Sequence, residues 1–335
     1  MSTIGEVARL AGVHPSTVSR VVNGKCTISP DTREKVLRAM EELDYHPNTI
    51  ARSLVTGSPG VIGLALDTND TAAFQNYFFH RSQFAIERVA QKYDHHVIVT
   101  GNCRVLEKLV WSKQVDGLVI PPSPANLSLL DIQESVPLVL LGQPDRELPN
   151  VSWVDVDNRL GSRIAVEHLL RCGYRSPAYL GIGPSCAEQG FTQRRALGYL
   201  DSLPKGVPPR FIACDGTAQG ACVQALISLN GKDHPDAFLC GDNLIAFGLL
   251  QAAQKIGLQV PEDIGIVTFN NEPLAEYTVP GLTAIHLDMD KMGETTAEIL
   301  FEQIRGKAEP KHVLIPPILF ERESTRRMAV KGDNA

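Results

Sequence analysis

The chain has 335 residues, 43% of them apolar and 21% charged, with a formal net charge of −6. The length suggests two or three compact units, the composition excludes a mostly disordered chain, and no run approaches the roughly 18 uncharged apolar residues of a membrane span. An acidic average argues against nucleic acid, yet the first 58 residues carry +1 and the remainder −7, so the head and body are distinct in charge.

The opening MSTIGEVARL has neither a basic n-region nor an apolar h-region, so no secretory leader is expected. Seven cysteines form no CxxC pair and no Cys/His cluster of zinc spacing. Reduced thiols in a cytoplasmic protein, with no metal and no cofactor, are the expectation.

In the head, Thr3 and Glu6 are spaced as a capping box. Ile4, Val7, Ala8 and Ala11 then repeat at helical spacing, and Gly12 ends that helix. Val13 plugs the turn. Pro15 opens a second helix, where its missing N–H costs nothing; Val18, Val21 and Val22 face inward, leaving Ser16, Thr17 and Arg20 outward. Ser29-Pro30-Asp31 starts a third helix through Val36, Leu37, Met40 and Leu43. Three short helices with a tight glycine turn between the first two have the layout of a helix-turn-helix, although spacing alone also fits an ordinary helical hairpin.

The stretch from Thr3 to Leu54, with VARLAGV, TVSRVVNG, TREKV and the pattern Tyr45, Pro47, Asn48, Ala51, Arg52, Leu54, resembles without a gap the N-terminus of the lactose-repressor (LacI/GalR) family of bacterial transcription regulators. The resemblance implies base reading by Pro15, Ser16 and Arg20, with Arg20 suited to guanine. It implies phosphate positioning by Thr3, Thr17, Asn23, Thr32 and Tyr45. His14 and Pro15 depart from the family pattern: His14 replaces a serine cap, and Pro15 offers only apolar contact. A six-residue segment, Thr49 to Leu54, is too short to be a stable helix alone; the family places it in the minor groove, with Ala51 and Leu54 as its hinge contacts and Leu54 as a wedge. Val55 stands where some relatives carry a basic residue.

From residue 60, apolar runs at 61–67, 96–100, 116–121, 137–142, 176–181, 210–214, 236–241 and 263–269 alternate with amphipathic stretches at 157–172, 191–203, 217–230, 243–256 and 290–306. Such alternation makes parallel sheets flanked by helices, too long for one sheet and suited to two Rossmann-like lobes. Ligands then bind at the carboxyl ends of the strands. The same resemblance continues to Arg326 through VDVDN (154–158), RRALGY (194–199), LCGDNLIAFG (239–248) and the stretch 257–300. It implies a two-lobed, periplasmic-binding-protein-like effector core in which the chain crosses between lobes three times. The expected domains are a helix-turn-helix head (1–46), hinge (47–58), effector and dimerisation core (59–326) and tail (327–335).

For the effector, the resemblance points to Arg195, Asp242 and Asn270. Asp242-Asn243 inverts the usual order, Asn270 replaces a frequent Asp, and Leu287 a frequent Gln. Fewer carboxylates near Arg194 and Arg195 would suit an anionic ligand such as a sugar phosphate. The loop 68–81 is about five residues longer than in relatives and carries Phe74, Tyr77, Phe78 and Phe79; Phe79 is the candidate for stacking on a ligand, with core or dimer packing the alternative.

No GxSxG, Walker A, HExxH or GxGxxG motif is present, and His95-His96 reads as a turn rather than a metal site. The reading is a repressor of carbohydrate-metabolism genes, not an enzyme. Its expected partners are double-stranded, pseudo-palindromic operator DNA, a sugar or sugar-phosphate effector, and a second copy in a homodimer; no membrane is involved. A sugar-binding receptor without DNA function is the alternative. The tail has no leucine heptads, so a dimer rather than a tetramer is expected.

Overall fold

The structure, a computed structural model, describes residues 2–22, 28–46, 57–66, 77–124, 126–183, 190–231, 233–306 and 309–326. Asn23, the hinge residues Ala51 and Leu54, Val55, Phe74 and the tail from residue 327 lie outside the described residues. The chain forms two compact units: Met1–Gly60 with Lys113–Val115, and Val61–Ser112 with Asp116–Ala335.

The first unit holds α1 (Ile4–Ala11), α2 (Pro15–Val22) and α3 (Pro30–Glu42). The Thr3–Glu6 capping box is present in both directions, and Gly12 ends α1 in the left-handed conformation at φ 66°. Val7, Ala8, Val18, Val21, Val36 and Ala39 form a small core, with Val13 and Tyr45 packed on it. Leu37, on the same helix as Val36 and Ala39, stays outside this core. It is 50% exposed, because it lies about 100° around the helix from the Val36–Met40–Leu43 stripe.

The second unit contains two six-stranded sheets. The first has the order β2-β1-β3-β4-β5-β11, from β1 (Val61–Ala65), β2 (His96–Thr100), β3 (Gly117–Ile120), β4 (Leu138–Leu141), β5 (Ser152–Val156) and β11 (His312–Ile315). It is parallel throughout. The second has the order β7-β6-β8-β9-β10-β12, from β6 (Pro177–Ile182), β7 (Phe211–Cys214), β8 (Ala237–Cys240), β9 (Gly265–Phe269), β10 (Thr283–His286) and β12 (Ile318–Phe320). Only β12 is antiparallel. Each sheet repeats one doubly wound order, with a switch point between β1 and β3 and another between β6 and β8.

The eight apolar runs of the sequence are β1–β4 and β6–β9. The pattern missed β5, where Ser152 and Asp155 are buried inside a strand, and the short β10–β12. Membership of the two sheets gives three crossings, after β5, after β10 and between β11 and β12. At the first two, Asp157 and Asp288 adopt nearly the same backbone conformation (φ −75°, ψ 84° and 83°) and cap α6 (Asn158–Arg171) and α11 (Met289–Ile304). The third is Pro316-Pro317.

Three helix pairs cross at glycines. A Cβ on Gly198 of α7 (Phe191–Ser202) would overlap the Arg159 carbonyl of α6. One on Gly248 of α9 (Asn243–Ile256) would overlap the Ala218 carbonyl of α8 (Ala218–Leu229). One on Gly293 of α11 would overlap the Ser82 carbonyl of α4 (Tyr77–Lys92). Gly198→Ala should therefore cost about 1–3 kcal/mol through overpacking, measured by denaturant unfolding; an unchanged midpoint would mean that the helix pair separates freely.

One ionic cluster joins the starts of three strands. His95 Nδ1 lies 2.7 Å from the Tyr93 carbonyl and Nε2 3.2 Å from Asp116, whose carboxylate accepts the Val61 N–H. Phe301 packs edge-on against the ring. Burial by itself lowers the imidazole pKa, but the two acceptors and the charges of Asp116 and Asp94 outweigh it, and the net shift is upward. Such a shift contributes stability that is complete below the unfolded value, about 6.5, and is lost as pH rises through the folded value. His95→Gln should lower the melting temperature more at about pH 6 than at about pH 8; equal losses would assign the effect to packing on Phe301.

Candidate functional site

On α2, Pro15, Ser16 and Arg20 are exposed and Thr17 is half-buried. Ser16 and Arg20 are four apart, which puts them on one face. The departure at His14 turns out not to cost the cap: its Nδ1 accepts the Ser16 N–H at 3.2 Å and lies 2.9 Å from Ser16 Oγ. An imidazole nitrogen thus does the work of the serine oxygen. With Nδ1 as acceptor, the Ser16 hydroxyl proton is directed at His14 and its lone pairs remain outward.

The positioning residues divide by surroundings. Thr3 Oγ1 is engaged with Glu6 at the start of α1, and Thr32 Oγ1 lies 2.8 Å from Ser29 Oγ at the start of α3. Both stand in the first turns of their helices, beside the acidic Glu6 and Asp31. Tyr45 is half-buried against the head core.

In the second unit, Arg195 on the first turns of α7 is 3% exposed. Nε donates to Asn158 Oδ1 at 2.8 Å and Nη1 to the Gly241 carbonyl at 2.5 Å. The guanidinium lies 4.0 Å from the Phe269 ring centre and 4.8 Å from that of Phe191. Burial lowers its pKa to about 10, opposed by Tyr179, Asp242 and Asp155, so it remains a cation at neutral pH. Phe191 itself is half-exposed.

Asp242 follows β8, caps α9 through the Ile245 N–H at 3.0 Å, and is raised in pKa by burial. Asp155, at the carboxyl end of β5 in the other lobe, is also raised by burial, against the pull of the Gln143 and Val156 N–H groups, Arg194 and Arg195. Arg194 reaches across to the loop after β4, donating to the Pro144 carbonyl at 2.8 Å and to Asp145 at 3.2 Å; Asp145 also accepts the Gly190 N–H. The expectation of few carboxylates near the two arginines is thereby corrected. Asp145, Asp155 and Asp242 surround them, and tertiary contacts occupy them already.

Asn270 lines a cavity of about 390 Å³ with Arg81, Glu272, His286, Leu287 and Arg322. It takes a left-handed backbone at φ 71°, and its Oδ1 is buried without a hydrogen-bond partner among the described residues. Asn243 Oδ1 accepts the Thr268 hydroxyl at 3.2 Å, its Nδ2 is buried without a hydrogen-bond partner among the described residues, and the nearby Glu272 carboxyl is raised in pKa by burial. Phe79 is half-buried and packs on the hydrophobic core, the alternative held open for the aromatic loop. The sequence reading did not single out Asp155, Asn158, Phe191 or Glu272; the VDVDN motif contained the first two.

A three-helix head with an outward second helix, joined in one chain to two doubly wound lobes, defines a DNA-binding regulator with a ligand core. Residues 3–48 match the model for bacterial regulatory proteins of the lacI family, and residues 166–325 match that for a periplasmic binding protein-like domain. The HTH-type transcriptional repressors PurR of Escherichia coli and Escherichia fergusonii are each 30% identical over 97% of both chains. Among solved structures, the lac repressor dimer bound to operator and the anti-inducer ONPF is 27% identical, with a TM-score of 0.81, covering 97% of this chain and 99% of that one. The transcriptional regulator CelR in complex with cellobiose is 26% identical, with a TM-score of 0.70, covering 97% of this chain and 100% of that one.

The chain belongs to the lacI family of bacterial regulatory proteins. It is a ligand-responsive DNA-binding repressor with a periplasmic-binding-protein-like effector core, and not an enzyme.

Arg195→Met would leave Asn158 Oδ1 and the Gly241 carbonyl without their buried donor and take the nearby positive charge from Asp242, while Asp155 keeps Arg194. It should destabilise the core by about 3–5 kcal/mol, read by urea unfolding of the full chain; a loss under about 1 kcal/mol would show that water satisfies the site.

Proposed function

We propose that two copies of this chain bind a pseudo-palindromic operator in the cytoplasm, each presenting α2 to the major groove. Pro15, Ser16 and Arg20 read bases, and Thr3, Thr17, Asn23, Thr32 and Tyr45 set the register on phosphates. The observation that carries this reading is the exposed Ser16–Arg20 face of α2 in a head matched to the lacI family. Arg20 suits the O6/N7 edge of guanine; Ser16, with its proton directed at His14, suits an exocyclic amine of cytosine or adenine.

The head is assigned to residues 1–46, the minor-groove hinge with Ala51 and Leu54 to 47–58, the core to 59–326 and the tail to 327–335. Dimerisation is supported by apolar side chains exposed on the core: Phe84, Val223 and Ile227 four apart on α8, Leu274, Tyr277 and Val279. The lac repressor relative is itself a dimer on operator.

The effector is a small carbohydrate held by Arg195, Asp242 and Asn270, regulating genes of carbohydrate metabolism. Cellobiose bound to CelR supports that class, while the likeness to PurR keeps a purine as the second reading. Ligand binding alters the relation of the lobes, and operator affinity changes by the reciprocal coupling, typically about 1–3 kcal/mol.

Selection from random duplex DNA at fixed salt tests the reading, using the full chain and a form starting at Pro59. A palindromic consensus recovered only by the full chain is expected; an asymmetric consensus would rule out the symmetric dimer. Arg20→Ala should cost about 1–3 kcal/mol at one base position and relax its specificity. Uniform weakening across all sequences would make Arg20 a phosphate contact instead.

A further inference from the structure

The first turn of α2 directs all of its backbone donors to one residue. Pro15 has no N–H. Thr17 and Val18 donate to the His14 carbonyl at 2.8 and 3.4 Å. Ser16 N–H donates to His14 Nδ1 at 3.2 Å, and Ser16 Oγ lies 2.9 Å from the same atom. A backbone N–H can only donate, so the ring holds a lone pair at Nδ1 and its proton at Nε2. The amide and hydroxyl hydrogens of Ser16 therefore share one nitrogen, and the outward side of Ser16 Oγ presents lone pairs alone.

Protonation of the ring inverts this arrangement. An imidazolium carries hydrogen on both nitrogens and accepts nothing. Taking a proton from solvent, His14 would donate from Nδ1 to Ser16 Oγ, and the hydroxyl hydrogen would turn outward. Imidazole is the side chain whose charge changes between about pH 5 and pH 8, and His14 and Ser16 are both exposed. The charged groups around it are Arg20 on α2, Glu6 and Arg9 on α1, and Asp31, Arg33, Glu34, Lys35, Arg38, Glu41 and Glu42 on α3. None is paired with His14 among the described residues, where the ion pairs of the head are Arg38–Glu34 and His46–Asp44. The ring answers to solvent and, on an operator, to DNA phosphates, which favour its charged form.

We propose that His14 sets the hydrogen-bond polarity of Ser16 and thereby makes the operator base chosen at that position depend on pH. With the neutral ring, Ser16 accepts from the exocyclic amine of adenine or cytosine; with the charged ring, it donates to O6 of guanine or O4 of thymine. His14 is a positioning residue, acting on the base through Ser16. The proposal rests on the placement of Ser16 against base edges and deepens it. A serine at position 14 would cap α2 as well, but a hydroxyl does not titrate in this range and turns either a hydrogen or a lone pair towards Ser16, so it imposes no polarity.

The test uses the full chain, the consensus duplex recovered by selection, and fluorescence anisotropy at fixed salt. Ser16→Ala first identifies the base position that Ser16 reads, as the one whose preference relaxes. Duplexes carrying each of the bases there are then titrated at about pH 8 and about pH 5.5. At the higher pH, adenine or cytosine should bind more tightly by about threefold to tenfold, the worth of one hydrogen bond; at the lower, that preference should vanish or pass to guanine or thymine. The position read by Arg20 should keep its preference at both. His14→Asn, whose amide oxygen caps the helix and does not titrate, should hold the adenine or cytosine preference at both pH values. Circular dichroism establishes that each protein is folded under each condition. A preference at the Ser16 position that is unchanged between the two pH values overturns the proposal and leaves base reading by Ser16 standing. A change shared by His14→Asn or by the Arg20 position also overturns it, since the titrating group then lies elsewhere in the head. Ser16→Ala that relaxes no base position overturns base reading by Ser16, and the proposal with it.

Discussion

A single buried cation holds the ligand core together at its most sensitive point. Arg195 is stacked between Phe191 and Phe269, bonded to Asn158 at the first crossing and to the Gly241 carbonyl beyond β8, and faces Asp155 from the other lobe and Asp242 from its own. A buried charge is tolerated only when its hydrogen bonds and counter-charges are in place. Everything around it is consequently fixed in register: the start of α6, the end of β8 and the carboxyl end of β5. An arginine here organises the facing strand ends more than it offers itself to a ligand.

The rest of the core leaves that point as the place where motion has consequence. Each lobe is a doubly wound sheet whose helix pairs are pressed together at Gly198, Gly248 and Gly293, too close for any side chain. Packed layers of this kind resist continuous deformation. The lobes meet through three crossings, two of them built on equivalent aspartate caps at Asp157 and Asp288. Arg194 adds a direct tie between lobes through Pro144 and Asp145. A ligand that alters these few contacts shifts the balance between lobe arrangements by its differential affinity for them.

The head works under a different constraint. Its core has few fully buried side chains, so local devices matter more than burial. The Thr3–Glu6 box, the Ser29 cap and the His14 ring each satisfy helix N–H groups.

What the sequence determined by itself is local or periodic. The Thr3–Glu6 capping box, the Ser29 start, the Gly12 stop, the three head helices and the eight unbroken apolar strands follow from spacing, because each depends on neighbours within one turn or one strand. Family motifs extended this to the two-lobed core and its three crossings. What only the tertiary structure decided depends on partners far away in the chain. Ser152 and Asp155 belong in a strand because distant groups bond them, the Lys311 backbone N–H and the Gln303 amide for one and the Gln143 N–H for the other. Leu37 is exposed because the stripe it borders was already filled. Phe79 packs inward, and Arg194 and Arg195 are committed to acceptors 37 to 50 residues distant. The type of a side chain announces what it is able to bond; only the folded chain determines whether that capacity is already used, and a ligand site is made of what remains.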